Sequence, residues 1–137
     1  MKTSLLILFT LIFFCGTTTS QVPDSLKYFS FRPALFKNAM DTAGNVMLAD
    51  VREFFEFRKS RIKGAVNIPT SGNLKVSADT IASDMSMFLY CTSGYRSKRM
   101  AKGLYDEGFR WLYSLDGGIK AWRKEGLQVD KKRMRKK

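Results

Sequence analysis

The chain has 137 residues, is 45% hydrophobic and carries a formal net charge of +12. That size and composition fit one globular domain, and no repeat or second domain is visible. Half of the net charge lies in the closing stretch KKRMRKK, residues 131–137, so the remainder is only moderately basic. The tail reads as a solvated end, with a site for an anionic lipid or polymer as the alternative. No aromatic residue interleaves with its bases, which excludes a stacking platform for single-stranded nucleic acid, and no nucleic-acid partner is expected.

Residues 1–20 form a distinct unit. Lys2 gives a short positive start, LLILFTLIFFC (5–15) is an apolar run, and GTTTS supplies small residues before Gln21. The run is too short to span a bilayer, which takes about 20 apolar residues. It reads as a cleaved secretory signal, with a retained N-terminal anchor as the alternative, so the protein is expected to be exported and periplasmic. Cleavage near Ser20–Gln21 would remove Cys15 and leave Cys91 as the single cysteine, a candidate reactive thiol. The alternative for such a residue is a buried, inert cysteine packing as a small hydrophobe.

Along the rest of the chain, YFSFRPALFKNAM predicts a brief strand or turn and then a helix beginning after Pro33. DTAGN (41–45) is a turn, and VMLADV (46–51) is a buried strand. REFFEFRKS has helical spacing. GAVNIP (64–69) reads as a strand ended by Pro69. TSGNLKV is loop, followed by a weak helix over SADTIASDM with Ser77 or Asp79 as N-cap. MFLYC is the next buried strand. SKRMAKGLYDEG is a helix with Met100, Leu104 and Tyr105 on its apolar face and Gly108 at its end. FRWLYSL is a strand, and GGIKAWRKEG a short helix closed by Gly126. This alternation of strands and helices predicts a parallel sheet covered by helices on both faces. Ligands in such sheets sit beyond the carboxyl ends of the strands, and CTSGYRS (91–97) lies at one of them.

A thiol reacts as the thiolate, with an unperturbed pKa of about 8.5. The protein has no histidine, which excludes Cys–His protease chemistry. The loop offers other devices. Its N–H groups and the following helix N-terminus point toward the sulfur and any anion beside it. Gly94 permits a backbone that a side chain would hinder. Arg96 adds positive charge to the pocket or its wall, and Ser97 is placed to cap the helix. The alternative is that Gly94, Arg96 and Ser97 are ordinary strand-to-helix turn residues. Asp50 and Arg52 lie at the end of their own strand. They read as an ion pair holding loop and sheet together or, alternatively, as residues that position the active loop or contact an anionic substrate. Tyr95 is a candidate for the pocket rim, Gly117 and Gly118 for tight packing at a helix start, and Trp122 for the core.

CTSGYRS resembles the active-site loop of the rhodanese-like sulfurtransferases. LADVREFFEFRKSRIKGAVNIP (48–69) is similar to that family's stretch from Asp-Val-Arg through Glu-Tyr or Glu-Phe to Gly-Ala-x-Asn-Ile-Pro. LDGGIKAW (115–122) is similar to its Leu-x-Gly-Gly-x-x-x-Trp. Together the three cover residues 30–130, leaving 131–137 as a basic tail. One departure is Ser60-Arg61-Ile62, where the family often has Gly-His-Ile. The resemblance implies a three-layer α/β/α fold with a five-stranded parallel sheet. It implies Cys91 as the sulfur-carrying residue, with Thr92, Ser93, Gly94, Tyr95, Arg96 and Arg52 around the substrate and Asp50 and Ser97 supporting the loop. The implied reaction takes a sulfane sulfur from a small anionic donor such as thiosulfate and passes it to cyanide or a thiol, without a metal or cofactor and in a monomer. A persulfide-carrier module serving a protein partner is the alternative. Phosphatase and arsenate-reductase relatives resemble Cys-x5-Arg. Here four residues separate Cys91 from Arg96, and the tighter loop favours sulfur substrates.

Overall fold

The computed structural model describes residues 22–131, apart from the side chains of Val76 and Ser77. The signal segment expected at 1–20 and the tail beyond Lys131 lie outside the described residues. Five parallel strands form the main sheet: β1 (Phe29–Phe31), β2 (Val46–Asp50), β4 (Val66–Asn67), β5 (Ser86–Tyr90) and β6 (Leu112–Leu115), in the order β1-β6-β5-β2-β4. Two short strands, β3 (Ser60–Arg61) and β7 (Asp130–Lys131), pair antiparallel beside it. The helices are α1 (Pro33–Thr42), α2 (Phe54–Lys59), α3 (Leu74–Asp79), α4 (Tyr95–Asp106) and α5 (Gly118–Lys124).

The central strand shows why the sheet needs helices on both sides. Side chains alternate along a strand. In β5, Met87 and Leu89, followed by Cys91, enter one apolar cluster, while Phe88 and Tyr90 enter the other. The first cluster is closed by α4, whose buried Ser97, Met100, Ala101 and Leu104 recur at the spacing of one helical face. Leu74 and Ala78 of α3 pack on the same side. The second cluster is closed by Phe36 of α1 and by Ile119 and Trp122 of α5. Trp122 is core, as expected, and its indole N–H donates to the Gln128 carbonyl at 2.9 Å. Burying a side chain such as Phe88 contributes about 1.5–3 kcal/mol.

The strand order places the site. From β2 the chain crosses to β4 on one side; from β5 it crosses to β6 on the other. The connections leaving the neighbours β2 and β5 therefore diverge and open a crevice at their carboxyl ends. Cys91 follows β5 at that crevice, and Val51 to Glu56 follow β2.

Several boundaries differ from the sequence-based expectation. The helix α1 includes Pro33 at its first turn and runs through Thr42, so the turn is confined to residues 43–45. The helix expected from Ser77 or Asp79 begins at Leu74, and Asp79 ends it. Leu74 packs against the first cluster, and the Asn73 side chain accepts the Lys75 N–H at 3.0 Å. Burial of an apolar anchor thus outweighs the loop-like composition of TSGN. The strands expected over 64–69 and 109–115 shrink to Val66–Asn67 and Leu112–Leu115, because only those residues find a paired neighbour.

Candidate active site

Cys91 is the free cysteine of the described residues and is 1% exposed. It leaves β5 and the chain turns at once into α4. The turn is made by Gly94, whose φ of 94° is the left-handed conformation that a side chain disfavours. A Cβ there would also lie 3.2 Å from both the Gly117 nitrogen and the Leu115 carbonyl oxygen. This turn aims the Gly94 N–H at the sulfur, with N to Sγ at 3.1 Å.

The opposite side of the loop is held by α5. The Ile119 and Lys120 N–H groups donate to the Cys91 and Thr92 carbonyls at 2.9 and 3.3 Å. With the carbonyls engaged below, the N–H groups are left to face the thiol. Gly118 makes the close approach possible: a Cβ on it would sit 2.5 Å from the Cys91 carbonyl oxygen and 2.6 Å from the Ser93 nitrogen. Tight packing at this glycine pair was expected, and the structure shows that the surface packed against is the active loop itself.

Ser97 does not cap α4. Gly94 occupies the N-cap, and Ser97, fully buried on the third helical residue, points back under the loop. Its hydroxyl bonds the Gly94 carbonyl at 3.1 Å, lies 2.9 Å from the Ser114 hydroxyl and 3.9 Å from Sγ. It supports the loop from beneath. Burial pushes the Cys91 thiol up, but the N–H groups of Ser97, Ser93 and Gly94, with the Ser97 hydroxyl, act against it and bring the pKa below its ordinary value. The thiol is therefore buried without being inert.

Arg96 lies along the wall rather than free in the pocket. Its guanidinium is clasped by Glu56 of α2 through two bonds of 2.8 and 3.0 Å, and it also donates to the Thr92 hydroxyl at 2.9 Å. Thr92 in turn donates to Glu56 at 2.8 Å. Hydrogen bonds from Arg96 chiefly, against some burial, then from Thr92, hold the Glu56 carboxyl at about 2. Glu56 raises the Arg96 pKa, burial opposes, and the nearby Cys91 thiolate adds a smaller upward push. Glu56 also accepts the Glu53 N–H in a capping box at the start of α2. The sequence motifs alone assign Glu56 no role. The available signal was Glu56-Phe57 itself, which falls inside the matched stretch at 48–69.

Asp50 and Arg52 form the ion pair expected of them, both buried, with contacts of 2.6–3.1 Å. Arg52 also donates to the Ser60 carbonyl at 2.6 Å, and Asp50 accepts the Arg52 N–H at 3.0 Å. The pair ties β2 to β3, and Arg52 borders a cleft of about 250 Å³ shared with Thr92 and Glu56. Tyr95 is 69% exposed, and Ser93 is exposed beside it. Among the described residues no cluster of His, Cys, Asp or Glu is arranged to hold a metal ion.

Comparison with known proteins points the same way. The sequence profile of the rhodanese-like domain matches residues 32–125. The chain is 44% identical over 75 residues to the uncharacterized protein YqhL of Bacillus subtilis, covering 55% of this chain and 59% of that one. It is 30% identical over 87 residues to the putative sulfur carrier protein YrkF of the same organism, covering 64% and 46%. It thus spans only about half the length of these two relatives. With the thiosulfate sulfurtransferase GlpE of Shewanella oneidensis it shares 34% identity over 83 residues, 61% of this chain and 81% of that one. Among solved structures, a rhodanese-related protein of Thermoplasma volcanium superposes with a TM-score of 0.65 at 28% identity, over 75% of this chain and 98% of that one.

Proposed function

Since the chain belongs to the rhodanese-like domain family, we propose that it is a sulfurtransferase that carries sulfane sulfur on Cys91. The observation that supports this most is a buried thiol beneath inward-facing N–H groups, with a pKa below the ordinary thiol value. In the first step the Cys91 thiolate attacks the sulfane sulfur of thiosulfate or of a persulfide. The S–S bond of the donor breaks, sulfite or a thiolate leaves with the electron pair, and a persulfide remains on Cys91. In the second step a thiolate or cyanide attacks the outer sulfur and Cys91 departs as the thiolate. Charge develops on sulfur in both steps, so N–H groups fixed around it stabilise the transition state without reorganising.

Thiosulfate is expected to add one sulfur atom to the intact mass of the protein, and cyanide to remove it as thiocyanate. Cys91→Ser should abolish both while the protein stays folded. A Cys91→Ser protein that still turned over thiosulfate would exclude this mechanism. A carrier role, with sulfur received from a protein partner and little thiosulfate turnover, is favoured by one observation. The Arg96 charge is already matched by Glu56, which weakens the attraction the loop offers a small dianion. Loading by a persulfide but not by thiosulfate would select it. We also propose export to the periplasm, on residues 1–20. N-terminal sequencing of protein from its native host should then begin near Gln21.

A further inference from the structure

The basic tail is left unexplained by sulfur chemistry, yet the structure fixes where it starts. β7 ends at Lys131 and pairs with β3, Ser60 opposite Lys131 and Arg61 opposite Asp130. β3 follows α2 directly, and α2 carries Glu56, which holds the active loop. The root of KKRMRKK is therefore pinned to the element that borders the site.

Between that root and the loop runs a trough made of two adjoining clefts. The one beside Thr92 has a volume of about 250 Å³, the one reaching Lys131 about 460 Å³, and Lys59, Ser60 and Arg123 line both. Lys59, Lys120, Arg123 and Lys131 are exposed along it. Its carboxylate is Glu56, already paired with Arg96. Its floor is partly aliphatic, with Ile119, Leu127 and Val129. Phe55 on its margin is 72% exposed, and the adjacent Phe54 59%. A small anion would need neither this length nor these apolar contacts.

We propose that this trough docks an acidic polypeptide segment whose cysteine exchanges sulfur with Cys91. The proposal rests on the sulfur-transfer reading and names the partner's chemistry. Lysines along the trough draw in carboxylates, and the aliphatic floor takes the side chains between them. RNA fits less well, because Phe55 is the one aromatic residue lining the trough and no series of rings is offered to bases. In the transfer, the partner's thiolate attacks the outer sulfur of Cys91–S–SH. The S–S bond breaks, Cys91 leaves as the thiolate, and the partner keeps the sulfur as its persulfide.

The test uses sulfur-loaded protein and three cysteine peptides of equal length, rich in glutamate, glutamine or lysine. The rate of sulfur transfer to each is read by peptide mass. Steering by such a field changes association rates by about tenfold or more at low ionic strength. The glutamate peptide should therefore exceed the glutamine peptide by about tenfold and the lysine peptide by more, and the differences should collapse in high salt. Lys59→Glu with Lys131→Glu should reverse the order. A protein ending at Lys131 should narrow it. Transfer to free β-mercaptoethanol should change less than about twofold in both, because neither change touches the loop's N–H groups. Equal rates for the three peptides, or an order that survives the double lysine change, would overturn the proposal. So would tighter binding of a uridine oligomer or anionic vesicles, lost in the same variant. Titrating unloaded protein with a cysteine-free glutamate peptide reads the surface without the chemistry. Docking without loading would fail the sulfur-transfer reading alone; loading without docking would fail this one alone.

Discussion

At the scale of single residues, the loop stabilises a thiolate with backbone more than with side-chain charge. The Ser97, Ser93 and Gly94 N–H groups lower the Cys91 pKa, while the nearest guanidinium is shared with Glu56. Alkylation of Cys91 with iodoacetamide should therefore rise with pH through a midpoint below the ordinary thiol value. Below that midpoint the group is protonated and slow; above it the thiolate reacts. Arg96→Ala alone leaves Glu56 unmatched near the sulfur, which pushes the midpoint up. Arg96→Ala with Glu56→Gln removes both charges, and its midpoint should still lie below the ordinary value. A double variant at or above it would transfer the stabilising role to Arg96.

At the scale of elements, two contacts hold the loop, one from α5 and one from α2. Gly118 has a φ of 60° and stands where a Cβ would collide with the backbone of Cys91, Thr92 and Ser93. Gly126 also has positive φ, at 76°, but nothing lies within 4 Å of a Cβ there. Alanine at either position carries the left-handed penalty of about 1–2 kcal/mol. Gly118→Ala must also displace the loop. It should lose sulfur transfer about a hundredfold or more, the scale of losing one aligned N–H donor, while Gly126→Ala keeps nearly full activity. Equal activities would mean that the loop does not depend on α5. The α2 contact has a pH signature. The Glu56 pKa is depressed to about 2 by Arg96 chiefly. Its contribution is full above the ordinary carboxylate value and is lost as pH falls through about 2. The pair is partly exposed and screened, so the contribution is at most about 1 kcal/mol. The stability gap between the native protein and Glu56→Gln should be greatest near neutrality and vanish toward pH 2. A gap constant with pH would assign it to packing.

At the scale of the whole molecule, stability resides in the two layers against the sheet, and the site is assembled on their rim. Phe88 and Leu89 are fully buried on opposite faces of β5, whereas Phe54 is 59% exposed on α2. Phe88→Ala should cost about 3–5 kcal/mol and Leu89→Ala about 2–5 kcal/mol in chemical denaturation. Phe54→Ala should stay within about 0.5 kcal/mol. A comparable loss at Phe54 would show that α2 belongs to the folded core. This division lets α2, with its exposed aromatics and cations, vary its surface without unfolding the sheet that positions Cys91.

The sequence by itself determined what is local. Short continuous apolar runs marked β2 and β5, helical spacing marked α4, and a glycine three residues after Cys91 marked the strand-to-helix turn. Order along the chain then placed the thiol at a strand's carboxyl end, and three short motifs carried the family. The ion pair at Asp50 and Arg52 was readable for the same reason, since a single residue separates the partners. The tertiary structure decided what joins distant segments. Glu56 meets Arg96 and Thr92 across 40 and 36 residues, and no periodicity links them. Leu74 begins α3 because it packs against a core built elsewhere in the chain. β3 and β7 are two residues each and exist only through their pairing across some seventy positions. That pairing sets Lys131 against β3, which directly follows α2. Hydrophobic pattern reports which face of an element is buried; it is silent on which element does the burying, and the loop's carboxylate, its floor at Gly118 and the trough leading to it all depend on that second choice.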